Sequence, residues 1–457
     1  MNETEKTTDN RNVLFAVIFL IVALILLACF GIAYYKHISE KATSTESTAN
    51  SVATTESASA VSGSTISKGG SYTVTGEHEA IVINTKEDVQ LTLQDATIKN
   101  DNGPAINVES AGKVTIVLKG KNTITATTTD DLDGAIFSKD DLFFSGDGSL
   151  ELTSNLDGIV SKDSLTINGG NYEINASDDG IRGKDSVEIT DGSFTITAGG
   201  DGIKTTNEEE TDKGFVVISG GAFTINSNND GIQATTTATI KAGTFKITTI
   251  STASDDSAKG IKAGTTLLIE DGTIDINAVD DGLHSNGDLT IQKGNITVLS
   301  KDDAIHGDGK IEINNGNITV DAAEGIEATY VKINDGTINI KASDDGINAG
   351  SKSKDYSVKV EINGGTINIE MGQGDTDAID ANGDLVIAGG TITITAQNPF
   401  DYDGTGSYTG GTIIVNGETI TELTNQDFGG VGEGMGGPPD QNGGFGFGGP
   451  QGPGMMR

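Results

Sequence analysis

The amino-acid sequence predicts an all-β fold, namely a right-handed parallel β-helix with three strands per coil, behind an N-terminal transmembrane helix. Three observations predict the β-helix: a repeat near 22 residues, short apolar pairs within each repeat, and glycine-rich corners between them. The repeat is clearest when 177–197, SDDGIRGKDSVEITDGSFTIT, is compared with 279–299, VDDGLHSNGDLTIQKGNITVL. A period of this length, broken by insertions at a few places, is typical of a solenoid.

Each repeat contains three short strands. The first begins at an isoleucine or leucine that follows a small residue, as at Ile181 and Leu283, and the other two carry apolar residues two positions apart, such as Val187 with Ile189. Residues two apart on a strand face the same side, so these side chains are predicted to fill the interior. Like residues of successive coils should then form ladders about 4.8 Å apart. One such ladder is predicted to be an internal aromatic stack: Tyr172, Phe194, Phe223 and Phe245.

The regions outside the repeat predict an anchor and two unstructured segments. Val13 to Tyr35 carries no charged residue and is long enough to span about 30 Å of hydrocarbon. This organisation predicts a single-pass protein of the cell membrane with an extracellular C-terminal domain; the alternative is a lipoprotein anchored at Cys29, the only cysteine. The predicted parts are 1–12 (cytoplasmic), 13–35 (transmembrane anchor), 36–70 (Ser/Thr-rich linker), 71–427 (β-helix) and 428–457 (Gly-rich disordered tail).

The charge balance limits the partners of this chain. Acidic residues outnumber basic ones 66 to 29, which gives a formal charge of −37. Such a surface repels nucleic acid and attracts cations. We therefore expect no nucleic-acid partner.

The position before the small residue of each repeat is acidic in nine of ten repeats. Neighbouring unit charges stacked at the coil spacing would repel by about 3–4 kcal/mol at an effective dielectric of 20. The column therefore requires compensation. In chain order it reads Asp157, Asp179, Asp201, Asp230, Lys259, Asp281, Asp303, Glu324, Asp345 and Asp377, and one residue earlier stand Asp178, Asp280, Asp302 and Asp344.

Three kinds of compensation are open from the sequence. Basic side chains three residues after the column, the aspartates' own bonds to turn backbone, and hard cations could each satisfy these carboxylates. Paired carboxylates at a corner suit Ca²⁺, which takes six to eight oxygen ligands. We predict several Ca²⁺ ions, held by Asp178, Asp179, Asp201, Asp230, Asp280, Asp281, Asp302, Asp303, Asp344, Asp345 and Asp377. The residues predicted to contact a bound ligand are Arg182, Lys204, Lys262, His284 and His306.

The recurring motif D-D-[GA]-[IL]-x-[ASG] occurs here as DDGIRG, DDGLHS, DDAIHG and DDGINA, together with Gly-Gly-x-apolar-x-Ile strands. In this combination the chain resembles the bacterial cell-surface carbohydrate-binding calcium β-helix family, over about 70–425. The resemblance implies a right-handed parallel β-helix, several Ca²⁺ ions, and binding of cellulose and polygalacturonate without cleavage. The repeat at Lys259 departs from the motif because it lacks the acidic pair.

The same architecture also serves pectin-degrading enzymes, so the repeats could contain a catalytic site. Arg182 is the only arginine within the repeats, and its place in a repeat column favours a structural ion pair over a catalytic base. Asp302, Asp303 and His306 echo part of a polygalacturonase site, but the Asp pair recurs in many repeats. We therefore predict a monomeric, non-catalytic protein that binds a pectin-like polysaccharide or cellulose. The alternatives are an adhesin or wall scaffold with a protein partner, and a polysaccharide lyase or hydrolase.

Overall fold

The computed structural model of the chain describes residues 59–60, 64–250, 257–373 and 376–425. Within these ranges the backbone forms strands, turns and irregular connections, and no helix occurs in them. The all-β prediction is therefore confirmed for this part of the chain.

The strands are short, and most have three to six residues. In the first third of the described chain they are β1 (Ser59–Ala60), β2 (Thr65–Ile66), β3 (Gly70–His78), β4 (Ile81–Asn84), β5 (Val89–Asn100), β6 (Ile106–Ser110), β7 (Val114–Lys119), β8 (Lys121–Ala126), β9 (Gly134–Ser138), β10 (Leu142–Gly146), β11 (Ser149–Ser154), β12 (Asp157–Ser161) and β13 (Ser164–Ala176). Next come β14 (Ile181–Gly183), β15 (Ser186–Ala198), β16 (Ile203–Thr205), β17 (Phe215–Ile218), β18 (Ala222–Ser227), β19 (Ile232–Ala234), β20 (Thr237–Ile240), β21 (Thr244–Thr249), β22 (Ile261–Ala263), β23 (Thr266–Ile269), β24 (Thr273–Asn277), β25 (Leu283–Ser285), β26 (Asp288–Ile291) and β27 (Asn295–Leu299). The last are β28 (Asp303–Ile313), β29 (Asn317–Ala322), β30 (Glu324–Ile333), β31 (Thr337–Ala342), β32 (Ile347–Ala349), β33 (Lys359–Ile362), β34 (Thr366–Met371), β35 (Ile379–Ala381), β36 (Asp384–Ile387), β37 (Thr391–Thr395), β38 (Asp401–Tyr402), β39 (Gly406–Tyr408), β40 (Thr412–Val415) and β41 (Glu418–Ile420).

Nearly every strand pairs in parallel with the equivalent strand of the next repeat. Thus β14 pairs with β16, β16 with β19, and β19 with β22, while β18 pairs with β21 and β21 with β24. Among the named strands, the antiparallel pair is β40 with β41, at the C-terminal end of the described chain. Pairing begins at β1 and β2, within the region predicted as linker.

The register of this pairing is the one that the repeat predicts. Ile181 lies opposite Ile203, Ile203 opposite Ile232, and Ile232 opposite Ile261. The same alignment continues through Leu283 and later repeats. Equivalent side chains of successive repeats are therefore direct neighbours, and the acidic column is a real spatial row.

The interior is a continuous cluster of buried aliphatic side chains, most of them completely inaccessible. Inside it the predicted aromatic ladder is present: the rings of Tyr172, Phe194, Phe223 and Phe245 are stacked with centroids 4.8, 4.7 and 4.8 Å apart. Their burial to 1–3% exposure confirms a packing role.

Two kinds of backbone position in the repeats require glycine, one because successive repeats approach closely and one because φ is positive. A Cβ at Gly202 would lie 2.5 Å from the carbonyl oxygen of Gly231 in the next repeat. At the corner between the second and third strands Gly192 has φ of 138°, and its N–H is held by Oδ1 of Asp191 at 2.8 Å. Glycine reaches this conformation without a steric penalty.

Insertions interrupt the period at 207–213, 251–257 and 351–357, and the first and third of them can be described. In the first, Asn207 is buried and its Nδ2 donates to Oδ1 of Asp185 at 2.6 Å. In the third, Tyr356 reaches back over the preceding repeats, where its hydroxyl donates to Oδ2 of Asp288 at 2.7 Å. Residues 251–256 of the second insertion lie outside the described residues.

The predicted localisation requires a correction. In the described part of the chain no helix is long and apolar enough to cross a bilayer, and this finding contradicts the single-pass prediction. The segments on which that prediction depended, 1–12 and 13–35 with Cys29, lie outside the described residues, as do most of the 36–70 linker and the 428–457 tail.

Candidate functional site

The acidic column lies at the start of the first strands, and in the early repeats it is buried. We call six of its members the ladder acids; each is 1–5% exposed: Asp157, Asp179, Asp201, Asp230, Asp281 and Asp303. Burial of a row of carboxylates is costly unless each oxygen has a donor. The structure supplies two kinds of donor.

The first donor is the backbone of the next repeat. The N–H of Asp179 donates to Oδ1 of Asp157 at 3.0 Å, and the N–H of Asp201 donates to Oδ1 of Asp179 at 2.8 Å. The same bond joins Asp230 to Asp201 at 2.8 Å and Lys259 to Asp230 at 2.8 Å. One oxygen of each of these carboxylates is thus used to connect repeats.

The second donor is a basic side chain of the outward column, either from the same repeat or from the next one. Lys204 Nζ lies 2.6 Å from Oδ2 of Asp201 and 3.5 Å from Oδ2 of Asp179. Arg182 pairs with Asp157 at 2.5 Å, and Lys262 approaches Oδ2 of Asp230 at 3.7 Å. These three basic residues, predicted to contact a ligand, are therefore occupied by internal ion pairs.

Arg182 has a further partner that the sequence did not reveal. Its guanidinium also pairs with Asp133, which in turn receives Lys162 Nζ at 3.3 Å. Asp133 stands one residue before the acidic column, in a repeat without the D-D-G motif. Only the spatial register could have brought it to Arg182, 49 positions away.

Ionisation of two ladder acids, Asp157 and Asp230, is still costly. Burial raises the pKa of Asp157 to about 7, with the charge of Asp179 adding to the shift and Arg182 opposing it. Burial together with the Asp201 charge raises the pKa of Asp230 to about 6. Hydrogen bonds and ion pairs therefore offset only part of the desolvation penalty.

Lys259, which interrupts the acidic column, supplies a cation to the repeat that follows. Its Nζ lies 2.5 Å from Oδ2 of Asp280 and 3.1 Å from Oδ2 of Asp281. Oxygens of Asp280, Asp281 and Asp302 lie within 4.8 Å of one another, and Asp157, Asp178 and Asp179 form a similar group. Both groups could present oxygen ligands to a cation, although each already has a basic side chain at its edge.

The two predicted histidines belong to the same outward column as Arg182 and Lys204. His284 Nδ1 lies 2.7 Å from Oδ2 of Asp281, and His306 Nδ1 lies 2.5 Å from Oδ2 of Asp303 and 3.1 Å from Oε2 of Glu327. Bonds to Asp303 and Glu327 outweigh burial and raise the pKa of His306 to about 10. The sequence had not singled out Glu327 as a partner, because it occupies a column position that is basic in the early repeats.

The late repeats differ from the early ones. Among the described residues no ion pair within 4.0 Å involves Glu324, Asp345 or Asp380. Burial, with the charges of Glu327 and Asp303, raises the pKa of Glu324 to about 8, and burial with the charges of Asp345 and Asp401 raises that of Asp380 to about 7. Of the predicted metal ligands here, Asp344 is exposed, and Oδ1 of Asp345 accepts the N–H of Asp377 at 3.0 Å.

A second candidate surface is formed by the outward residues of the third strands. Its middle column is in direct register from Thr297 through Thr319, Asn339 and Asn368 to Thr393. Asn368 Nδ2 donates to Oδ1 of Asn339 at 2.9 Å. One flanking column continues this pattern, whereas the other carries mostly charged side chains: the first is Asn295, Asn317, Thr337, Thr366 and Thr391, and the second is Leu299, Asp321, Lys341, Glu370 and Thr395. We call this surface the third-strand face.

The third-strand face is not flat. One open groove of about 270 Å³ is lined by Thr319, Asn339, Asn368 and Thr393, and another of about 380 Å³ lies near Asn171 in the early repeats. The flanking columns become apparent only when the strands are aligned in space.

A smaller aromatic patch lies on the second strands. Tyr330 and Tyr356 have ring centroids 6.2 Å apart, and the Tyr330 hydroxyl donates to Oε2 of Glu361 at 2.9 Å. No repeat pattern in the sequence identifies this pair. The insertion that carries Tyr356 gave no signal for the direction in which it folds.

Comparisons with known proteins identify the chain's relatives. A family model described as carbohydrate-binding domain-containing protein matches residues 61–304 and 300–428. Among solved structures, the chain is similar to a polysaccharide lyase-like protein from C. thermocellum, solved as a gadolinium derivative, with 30% identity over 46% of this chain and 86% of that chain and a TM-score of 0.39. No curated protein matches.

Proposed function

Since the chain belongs to the family of carbohydrate-binding domain-containing proteins, we propose that it is a right-handed parallel β-helix that binds a polysaccharide without cleaving it. The observation that carries the proposal is the third-strand face, with its rows of hydroxyl and amide side chains. Such groups can donate and accept hydrogen bonds, as sugar hydroxyls do. Rows repeated at the strand spacing would offer a long polymer many similar contacts, whose individual weakness matters less when several are made together.

Calcium remains part of the proposal, restricted to the late repeats. Asp201 and Asp230 already have protein donors on both oxygens, so they fit a metal poorly. Neither Asp344 nor Asp345 pairs with a basic side chain among the described residues, and these two carboxylates are the predicted ligands to which we assign Ca²⁺. An ion held there would let an anionic, pectin-like chain approach a protein with a formal charge of −37.

The first experiment measures binding of the full chain to cellulose and to polygalacturonate, with Ca²⁺ or with a chelator. The triple variant Thr319→Ala, Asn339→Ala, Asn368→Ala should bind at least about 10-fold more weakly, equivalent to about 1.4 kcal/mol. The matched control is Asn314→Ala, which removes an amide directly after β28 that bonds to Gln292 and lies outside the third-strand face. Equal binding by the triple variant and the wild type would reject the third-strand face as the site.

The two polysaccharides and the chelator separate the finer parts of the proposal. Loss of polygalacturonate binding in chelator, with cellulose binding retained, would support the bridging ion. Release of shortened or unsaturated products would favour the lyase or hydrolase alternative. Failure to bind any polysaccharide would favour an adhesin with a protein partner.

A further inference from the structure

Two histidines stand directly above one another in the outward column of the first strands. His284 pairs in register with His306, and their rings are stacked with centroids 4.8 Å apart at 14°. Both side chains are largely buried, at 12% and 11% exposure. Three of the four preceding positions in this column are the cations Arg182, Lys204 and Lys262, and the fourth is Gln233, so the imidazoles follow a mainly basic part of the column.

One nitrogen of each ring faces carboxylates. His284 Nδ1 lies 2.7 Å from Oδ2 of Asp281, while His306 Nδ1 lies near both Asp303 and Glu327. Ligand atoms of Asp281, His284 and His306 lie within 4.8 Å of one another, and so do those of Asp303, His306 and Glu327. Two imidazoles and three carboxylates are thus concentrated within two adjacent groups that share His306.

The other nitrogen of each ring also faces an oxygen. His284 Nε2 lies 2.7 Å from Oδ1 of Asn286, and His306 Nε2 lies 3.3 Å from Oδ1 of Asp308. Both acceptors stand two residues after their histidine. A neutral imidazole has one N–H, so carboxylate oxygens at both nitrogens of His306 require either a second proton or a metal ion on that ring, and the same holds for His284 with the Asn286 oxygen at its Nε2. Two added protons would place like charges on rings stacked 4.8 Å apart.

We propose that His284, His306 and Asp281, together with Asp303 and Glu327, bind one divalent transition-metal ion of the Zn²⁺ class. Imidazole and carboxylate ligands suit such ions, whereas Ca²⁺ prefers oxygen ligands alone. Asn286 and Asp308 then accept the remaining N–H of each ring, which is the usual way in which a ligating histidine is oriented.

The charges at the two ends of the cluster are consistent with a single ion. Lys259 Nζ lies 3.1 Å from Oδ2 of Asp281, and Lys352 Nζ lies 2.8 Å from Oε2 of Glu327. These two lysines offset part of the charge of the three carboxylates. When Asp280, which shares Lys259, and Asp308, which faces His306, are counted as well, the carboxylates outnumber the lysines by three, so one divalent ion leaves a single net negative charge when both imidazoles are neutral.

The test is calorimetric titration of the chelator-treated full chain with Zn²⁺, and then with Ca²⁺. We expect saturation at one Zn²⁺ per chain, and Co²⁺ should give the visible absorption of a protein-bound ion. His284→Gln and His306→Gln should each weaken Zn²⁺ binding by at least about 100-fold. The double variant His37→Gln, His78→Gln removes the other two histidines and should bind as the wild type does.

A second substitution tests the site without removing a ligand. Asp308→Asn should weaken Zn²⁺ binding by about 10–100-fold, because the ring of His306 loses its orienting carboxylate. The melting temperature of each variant in chelator shows whether it is folded. Absence of saturable Zn²⁺ binding, unchanged binding in both single histidine variants, or displacement of Zn²⁺ by equimolar Ca²⁺ would overturn the proposal. Each readout is independent of polysaccharide binding.

Discussion

At the scale of single residues, each early ladder acid does two things at once. Oδ1 of Asp201 accepts the N–H of Asp230, and its Oδ2 accepts Lys204 Nζ. The first bond connects repeats through the backbone, and the second neutralises the charge. An asparagine would keep the first bond and lose the second interaction, whereas an alanine would lose both. The two roles can therefore be separated by substitution.

Asp230 allows this separation to be measured against pH. Its pKa of about 6 lies above the ordinary 3.8, so its ionisation is less favourable in the folded chain than in the unfolded chain. The folded state is therefore destabilised as the pH rises from about 4 through 6. The neighbouring charges that act on it are Asp201, Lys262 and Lys259. Asp230→Asn should therefore melt higher than the wild type at pH 8 and show a smaller difference at pH 4.

The control for this prediction is Asp230→Ala. It leaves the buried N–H of Lys259 without an acceptor, which costs about 1–3 kcal/mol at either pH. Thermal melts of the three proteins at both pH values check the argument. If the gain in melting temperature of Asp230→Asn over the wild type were larger at pH 4 than at pH 8, the predicted direction of the pH effect would be wrong.

At the scale of the element, no strand is an independent unit. A three-residue strand such as β16 buries its side chains only because β14 and β19 lie on either side of it. The aromatic stack shows how specific this contact is, since the rings of Phe194 and Phe223 differ in orientation by only 1°. Stability should therefore depend strongly on ladder positions inside the stack.

Phe223→Ala should lower the free energy of unfolding by about 3–5 kcal/mol, because it leaves a cavity between two stacked rings. The matched control is Phe143→Ala, in which the ring faces outward under Lys113. Urea denaturation monitored by circular dichroism measures both. If both variants lost a similar free energy of unfolding, the internal aromatic stack would not contribute more to stability than an outward ring does.

The elements were more predictable than the partners of their side chains. The period of two within strands and the glycine corners were sufficient for β15, with its pairs at Val187 and Phe194. The ion-pair partner of Lys259 was not predictable, because its ammonium group contacts the following repeat and not its own. Tyr356 presents the same difficulty, since a loop's path over other repeats depends on tertiary contacts that no local pattern records.

At the scale of the whole described chain, charge changes systematically from repeat to repeat. The outward column begins with Arg182 and Lys204, passes through two histidines, and ends with Asp380 and Asp401. The companion acidic column stays acidic apart from Lys259, so negative charge accumulates in the late repeats. Self-repulsion there should be relieved by salt.

Asp380→Asn should raise the melting temperature by about 1–2 °C at low ionic strength in chelator, and the gain should shrink at high salt. Asp321→Asn is the control, because that carboxylate is exposed and paired with Lys341 at 2.7 Å. Melting curves at two salt concentrations compare the two variants. A gain that persists unchanged in high salt would indicate a cause other than charge.

The bond from each backbone N–H to the carboxylate of the repeat before it has a direction. Asp157 receives its donor from Asp179, which the ribosome makes later. In a nascent chain, the last folded repeat would therefore present an acceptor that only the next repeat can occupy. We expect the repeats to be added in the order of translation.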